Sequence, residues 1–323
     1  MDNWKQTVEE MKFENKKSWR EVGEYMQTIF PELSFEKAKE KARGVLRQSD
    51  KYPGEKPPKK EKKPKVEIFE NQVPNIIQTK WKGNNVIRFG LMGDTQINSK
   101  YTQITHLHKY YDICEFENIP IVYNTGDIDE GEEMRQGHKY ECYTQGADDH
   151  LKEIVKVYPR RKLETHFITG NHDASMIKRC GYDIGNSIAE HREDMKYLGK
   201  DCAIINLTPN CTLELRHPWD GTAYALSYKV QKMVEAMEAD SKPNILAVGH
   251  YHKSEQLFHR NVHIFQTGCF QSQTPFTRGK GIAIAMGGWI IEAQVDNSGT
   301  IERIKTEFIP FYKAIKDDYL NWR

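Results

Sequence analysis

From about residue 84 onward, apolar positions group into a recurring order of strand, loop and helix. The run Val86-Ile87-Arg88-Phe89-Gly90-Leu91-Met92 has a single charged interruption and predicts a buried strand. Ile119-Pro120-Ile121-Val122-Tyr123-Asn124 and His166-Phe167-Ile168-Thr169 predict two shorter ones. Helical spacing predicts helices near 103–118, 145–157, 186–198 and 226–238. Beyond residue 200 the pattern predicts mostly strands, at 202–207, 211–216, 244–249, 262–267, 282–293 and 301–309. The alternation predicts an α/β fold in layers, with more than one sheet.

The first 49 residues follow a different pattern. Ser18-Trp19-Arg20-Glu21 fits a capping box, in which serine and glutamate satisfy each other's backbone amides. Trp19, Val22, Tyr25, Met26 and Ile29 recur at helical spacing behind it, and Pro31 ends that helix. Ser34 is placed to cap a second helix striped by Phe35, Ala38, Ala42, Val45 and Leu46. Lys37, Lys39, Lys41, Arg43 and Arg47 lie mainly off that stripe. Two short helices with a tight break, the second basic, resemble a helix-turn-helix. Residues 50–83 read as a linker: Pro53, Pro57, Pro58 and Pro64, with seven lysines in 50–66, keep the segment extended and solvated. The expected division is 1–49, 50–83 and 84–323.

Charge adds one distinction. Residues 1–66 hold 17 Lys and Arg against 12 Asp and Glu, and the rest hold 30 against 34. A modestly basic front thus precedes a modestly acidic body, whose acidity suits a site that collects cations. The six cysteines are scattered without a CxxC pair, which predicts reduced thiols and no zinc–thiolate site. No apolar run of 18 residues occurs, and the N-terminus lacks the apolar stretch of a secretory signal. A cytoplasmic protein with no membrane partner is expected.

The chemistry lies where predicted strands end. Strands run into Gly93-Asp94-Thr95-Gln96, Gly126-Asp127-Ile128-Asp129, Gly170-Asn171-His172-Asp173, His217-Pro218-Trp219-Asp220 and Gly249-His250-Tyr251-His252. Carboxyl ends of strands form the functional crevice of open α/β sheets. The donors Asp94, Gln96, Asp127, Asn171, His217, His250 and His252 mix oxygen with imidazole, which suits Mn²⁺, Fe or Zn²⁺. Seven donors exceed the needs of one four-coordinate ion and fit two ions sharing a carboxylate. His106, His108, His138, His150, His191 and His259 lack such context and read as surface, whereas His166 and His263 fall in predicted strands and read as core.

The order D-x-[HQ], GD, GNHD, H, GHxH over residues 85–270 resembles the calcineurin-like metallophosphoesterases. The resemblance implies a layered sandwich of two mixed β-sheets flanked by helices, with two divalent metal ions, Mn²⁺ being favoured over Fe or Zn²⁺. It places Asp94, Gln96 and His252 on the first ion, Asn171, His217 and His250 on the second, and Asp127 between them. A bridging hydroxide would attack phosphorus while His172, unligated, assists the leaving group. The family often has His where this chain has Gln96. The second motif is also altered, so that Asp129, Glu130 and Asp173 all remain candidates for orienting His172.

Gln266-Thr267-Gly268-Cys269-Phe270-Gln271-Ser272-Gln273-Thr274-Pro275-Phe276 resembles the segment after GHxH in the small subunit of archaeal D-family DNA polymerases, a DNA-directed branch alongside recombination-repair nucleases. In this reading Gln271, Ser272, Gln273 and Thr274 contact a phosphodiester backbone. Tyr101, Tyr110, Tyr111, Tyr140, Tyr143, Trp219 and Phe276 are candidates to stack on bases. The expected function is therefore a phosphodiesterase or nuclease with DNA or another nucleic acid as partner. The alternatives are a phosphatase or phosphodiesterase for small nucleotides or phosphoproteins, and a non-catalytic nucleic-acid-binding scaffold. A partner protein or homo-oligomer is compatible with each.

Overall fold

The computed structural model describes residues 4–47, 49, 74–221 and 223–323. The chain divides into two compact units, Met1–Asn71 and Gln72–Arg323.

In the first unit, α1 (Trp4–Glu9) runs into a π-helical turn (Glu10–Glu14), followed by α2 (Trp19–Ile29) and α3 (Phe35–Leu46). Val8, Val22, Met26, Ala38, Ala42 and Leu46 form the core, so the two expected apolar stripes meet there and α1 adds a third contributor. The capping box forms: Glu21 N donates to Ser18 Oγ at 3.2 Å and Ser18 N to Glu21 Oε2 at 2.8 Å. Ser34 stands at the N-cap of α3 but makes no side-chain capping bond. Three basic residues of α3 are engaged within the unit. Lys39 pairs with Glu36 at 2.8 Å and Arg43 with Glu40 at 3.1 Å, while the Lys41 ammonium lies 3.5 Å from the Phe30 ring centroid.

The second unit contains two six-stranded mixed sheets. One is ordered β1 (Asn75–Gln78), β6 (Cys202–Thr208), β7 (Cys211–Arg216), β8 (Ile245–Val248), β10 (Val262–Thr267), β9 (Ser254–His259). The other is ordered β12 (Ile301–Pro310), β11 (Gly287–Val295), β2 (Val86–Met92), β3 (Ile121–Asn124), β4 (Glu164–Thr169), β5 (Met195–Lys200). Strands β2 to β5 are mutually parallel, as are β7, β8 and β10.

Alternation along each strand builds the layers. Phe89 and Leu91 of β2 join Tyr123, Ile168, Ile205, Leu213, Leu215, Ala247 and Phe265 in a core between the sheets. Met92 and Val122 face the other way, onto α4 (Ile104–Phe116), α5 (Ala147–Val157) and α7 (Ile184–His191). On the far side Val230 and Val234 of α8 (Tyr228–Ala236) cover Leu246, Val248, Val262 and Ile264. The layered α/β sandwich is thus present, with β2 apolar throughout its second half because both its faces are covered.

Some expectations need correction. The linker read over 50–83 is interrupted by β1, which pairs in parallel with Ala203–Asn206 and anchors through Asn75 Nδ2 to Leu198 O at 2.7 Å. Residues 50–73, with the four prolines, lie outside the described residues. The helix read over 186–198 stops at His191, and Met195–Lys200 is instead an edge strand beside β4. Arg192 causes the break. It is fully buried, and its guanidinium donates to Tyr158 O at 3.0 Å, Pro159 O at 2.8 Å and Asp194 Oδ2 at 2.6 Å. Short helices α6 (Ala174–Cys180) and α9 (Pro275–Gly279) were not anticipated.

At the C-terminus, the buried Asp318 accepts from Thr105 N at 2.7 Å and Thr105 Oγ1 at 2.6 Å, closing the start of α4. All six cysteines are free. Among the described residues, no helix is long and apolar enough to cross a membrane.

Candidate metal centre

Asp94, Asp127 and Asn171 follow the adjacent parallel strands β2, β3 and β4, while His217 and the His250/His252 pair follow the adjacent parallel strands β7 and β8. Hydrogen bonds stitch the two sheets together at this end. His250 N donates to both Asp94 carboxylate oxygens, at 3.0 and 2.9 Å, and His217 Nδ1 donates to Thr125 O at 2.7 Å.

The structure brings all seven sequence-derived donors into one cluster. His217 Nε2 lies 3.1 Å from both Asp127 Oδ2 and Asn171 Oδ1. Gln96 Nε2 reaches Asp127 Oδ2 at 3.3 Å, and His252 Nε2 lies 3.4 Å from Asp94 Oδ1. The rings of His217 and His250 stand 5.3 Å apart, and Asp127, His217 and His250 each present a ligand atom within 4.8 Å of the others.

Two glycines permit this closeness. A Cβ at Gly170 would collide with the Asp127 carboxylate and lie 2.6 Å from His217 Nε2. Gly126 has φ of 101°, and a Cβ there would lie 2.8 Å from His217 Nδ1. The backbone is held far from its preferences as well. Asp94, Gln96, Asp127, His250 and His252 all adopt left-handed φ, between 48° and 74°. Each such residue costs on the order of 1 kcal/mol or more, and clusters of them mark functional sites.

Proton bookkeeping shows what the cluster lacks. Because a carbonyl only accepts, His217 Nδ1 carries the hydrogen given to Thr125 O, and His250 Nε2 carries the one given to Asp220 O at 2.7 Å. His217 Nε2 is turned toward a carboxylate and an amide oxygen, so in the neutral ring lone pairs face lone pairs. Gln96 Oε1 and His252 Nδ1 are buried with no hydrogen-bond partner. Imidazoles fixed through one nitrogen by a backbone carbonyl, with the other aimed at carboxylates, are what metal ligation requires. The donor set therefore fits divalent cations.

Without an ion, protons must fill that role. Burial disfavours the His217 imidazolium, but Asp127 and Asp94 outweigh it and raise the group to about 9. Burial likewise opposes ionised Asp127, yet His217, His172 and His250 hold its carboxyl well below the usual range. Burial and the neighbouring His217 lower His250 to about 4.

His172 sits at the edge of the cluster, half-buried. Its backbone amide donates to Asp127 Oδ1 at 2.8 Å, and its Nδ1 donates to the main-chain carbonyl of Glu130 at 2.6 Å. None of the three candidate carboxylates orients its ring. Asp173 accepts from Gly170 N and Asp129 N, each at 2.8 Å, and Asp129 is taken by His150 Nδ1 at 2.8 Å and Asn98 Nδ2 at 2.7 Å.

A second cluster was missed. His106, His138 and His150, expected at the surface, are buried. His138 Nε2 lies 2.8 Å from Glu130 Oε1, and Glu132 takes Gly146 N at 2.5 Å together with Arg179. The signal was the acidic run Asp129-Glu130-Gly131-Glu132-Glu133, which needs partners if buried and has His138 and His150 just downstream. His166 and His263, expected in the core, are half-buried.

The polymerase-like segment also faces inward. Gln271 Nε2 donates to Glu130 Oε2 at 2.6 Å, Ser272 Oγ to Tyr101 O at 3.1 Å, and Thr274 caps α9. Gln271 is therefore occupied by protein rather than free for a phosphodiester. Tyr110 and Tyr111 are core residues, whereas Tyr140, Trp219 and Phe276 are exposed.

No protein family and no curated protein matches the chain. Similar solved structures include an archaeal phosphodiesterase (13% identity, 69% of this chain and 100% of that one, TM-score 0.39). A single mutant of Vps29 from Entamoeba histolytica aligns at 17% identity over 70% of this chain and 99% of that one, TM-score 0.33. A 5'-nucleotidase precursor from Thermus thermophilus aligns at 11% identity over 73% of this chain and 57% of that one, TM-score 0.38.

Proposed function

We propose that this chain is a phosphoester hydrolase of the calcineurin-like class, working with two divalent cations. The observation that carries the reading is the convergence of seven donors, five of them on left-handed backbone, with lone pairs opposed and Gln96 Oε1 unpartnered. Asp94, Gln96 and His252 would hold one ion, Asn171, His217 and His250 the other, and Asp127 would contact both. Such ions supply Lewis acidity toward a phosphoryl oxygen and make nearby water a better nucleophile at neutral pH. The protein's own residues do the rest. Thr125 O and Asp220 O fix the ring orientations of His217 and His250. His172, held through Nδ1, keeps Nε2 available to give a proton to the departing oxygen.

Within that class we favour a phosphodiester of nucleic acid as substrate. Trp219 supports this: it follows His217 by two residues, is half-exposed, and has its indole N–H fixed on Asp201 Oδ1 at 2.8 Å with the Lys178 ammonium 4.1 Å from the ring. A pinned aromatic ring beside a cation suits a base and its phosphate. The basic front adds less, since three of the four α3 cations, Lys39, Lys41 and Arg43, are already engaged within the unit. Mn²⁺ is the favoured ion and a cytoplasmic setting the expected one.

The test is Mn²⁺-dependent turnover of single-stranded DNA, bis-p-nitrophenyl phosphate and a phosphomonoester by purified protein. Diesters should be cleaved, and His172→Gln should retain metal while kcat falls by about two to four orders of magnitude. Turnover of the monoester alone would reject the nucleic-acid reading, and no turnover of any ester would reject the enzyme.

A further inference from the structure

A Glu130 carboxylate oxygen lies within 4.8 Å of a His172 ring nitrogen, but the carboxyl group is buried and its hydrogen bonds go elsewhere, from two sides. Oε1 faces His138 Nε2 at 2.8 Å and Oε2 takes Gln271 Nε2 at 2.6 Å, with Gln271 also donating to Ser99 Oγ at 3.0 Å. His138 Nδ1 accepts from Met134 N at 3.4 Å, so its hydrogen lies on Nε2 and points at Glu130. Burial, with Arg135 nearby, lowers His138 to about 4 and keeps that imidazole neutral. Glu130 N is tied in turn to Ile97 O at 2.7 Å. The next residue, Gly131, has φ of 66° and touches the His172 main chain so closely that a Cβ would overlap the His172 carbonyl. Amide, side chain and following turn are therefore all fixed. The carbonyl between them, which receives His172 Nδ1–H at 2.6 Å, has no freedom to rotate.

We infer that Glu130 is the positioning residue for His172, acting through its own main-chain carbonyl, with His138 and Gln271 as the clamp that holds it. The inference rests on the phosphoesterase reading for its catalytic consequence but not for its geometry. In the step concerned, a water oxygen, its proton passing to solvent, bonds to phosphorus as the bond to the leaving oxygen breaks, and His172 gives its Nε2 proton to that leaving oxygen. The electron pair stays on that oxygen, and the neutral ring keeps Nδ1–H on Glu130 O. The carbonyl, rather than the nearby Glu130 carboxyl, accepts the ring's hydrogen bond, because the carboxyl is turned to His138 and Gln271. Gln271, the centre of the polymerase-like segment, thereby gains a role one step removed from the reacting atoms.

Two readouts test this together. Glu130→Ala should lower kcat by about ten- to a hundredfold on a dinucleotide, whose alkoxide leaving group needs a proton, with KM and metal content unchanged. The loss should be severalfold at most on bis-p-nitrophenyl phosphate, whose leaving group needs none. In a His172→Gln background Glu130→Ala should cost nothing further, since the residues act as a unit. The second readout needs no activity. The His172 Nδ1–H proton resonance, assigned by its absence in His172→Gln, should be sharp in wild type. It should be broadened or lost in Glu130→Ala and in Gln271→Ala, the latter serving if the former does not fold. Equal losses on both leaving groups, additive losses in the double variant, or an unchanged resonance would each overturn the proposal. A resonance that behaves as expected in a protein that cleaves no ester would leave the positioning intact and remove the phosphoesterase reading alone.

Discussion

Two clusters of acid and imidazole share the loops after β2, β3 and β4, and they differ in how hydrogens are distributed. Around Asp127, the His217 nitrogen not committed to a backbone carbonyl faces oxygens that have no hydrogen to give, and Gln96 Oε1 has no hydrogen-bond partner. Around Asp129 and Glu130, each acceptor meets a donor: His150 and Asn98 on the one, His138 and Gln271 on the other. Composition does not separate the two, since each has carboxylates beside histidines. One is complete as folded, and the other is complete only with added positive charge.

Asp127→Asn gives the largest expected effect. Losing the carboxylate shared by both donor sets should remove bound metal and lower turnover by on the order of 10³-fold, read by elemental analysis and initial rates. Metal retention with full activity would dissolve the distinction. His150→Ala, in the satisfied cluster, should do the reverse. Metal content should persist while stability drops by about 3 kcal/mol, because the buried Asp129 loses His150 and keeps only Asn98 as side-chain donor, measured by denaturant unfolding.

The third comparison is with pH. His217 is raised in the folded, metal-free protein to about 9 from an ordinary 6.5. A raised group contributes stability fully below its unfolded value, and that contribution is lost as pH rises through the folded one. Metal-free protein should therefore lose up to about 3 kcal/mol between pH 6.5 and 9. A saturating divalent cation should flatten the slope, since ligation removes the Nε2 proton. Thermal melts with and without chelator read both, and identical slopes would contradict the proton's role as a stand-in. The smallest effect is expected for Gln96→Leu. Unfolding free energy of metal-free protein should stay within about 1 kcal/mol of wild type, since an unsatisfied oxygen leaves with the side chain, while metal affinity measured by calorimetry falls.

Much of this was legible in the chain, for a local reason. A strand ending in glycine and a donor announces itself within four residues, and parallel strands deliver their ends to one side. What was illegible depended on distant partners. β1 is four residues long and reads as polar linker until Ala203–Asn206 is beside it. Met195–Lys200 continues a helical pattern until the buried Arg192 is seen to break it. His138 and His150 look like surface residues because their carboxylates, although near in sequence, are brought inside only when the sheets close. Gln271 reads as a ligand-facing amide because Glu130 lies 141 positions away.

The bonds from His250 N to Asp94 and from His217 to Thr125 O join segments separated by 156 and 92 positions. The cage therefore does not exist in any nascent fragment that ends before both sheets have been made. Competence to capture a cation becomes a late event in assembly, and a cation captured then acts on the whole unit, adding about 2.7 kcal/mol at a hundred times its Kd. Resistance to proteolysis during refolding should consequently rise abruptly with cation only after the last strand of the pair, β8, has docked.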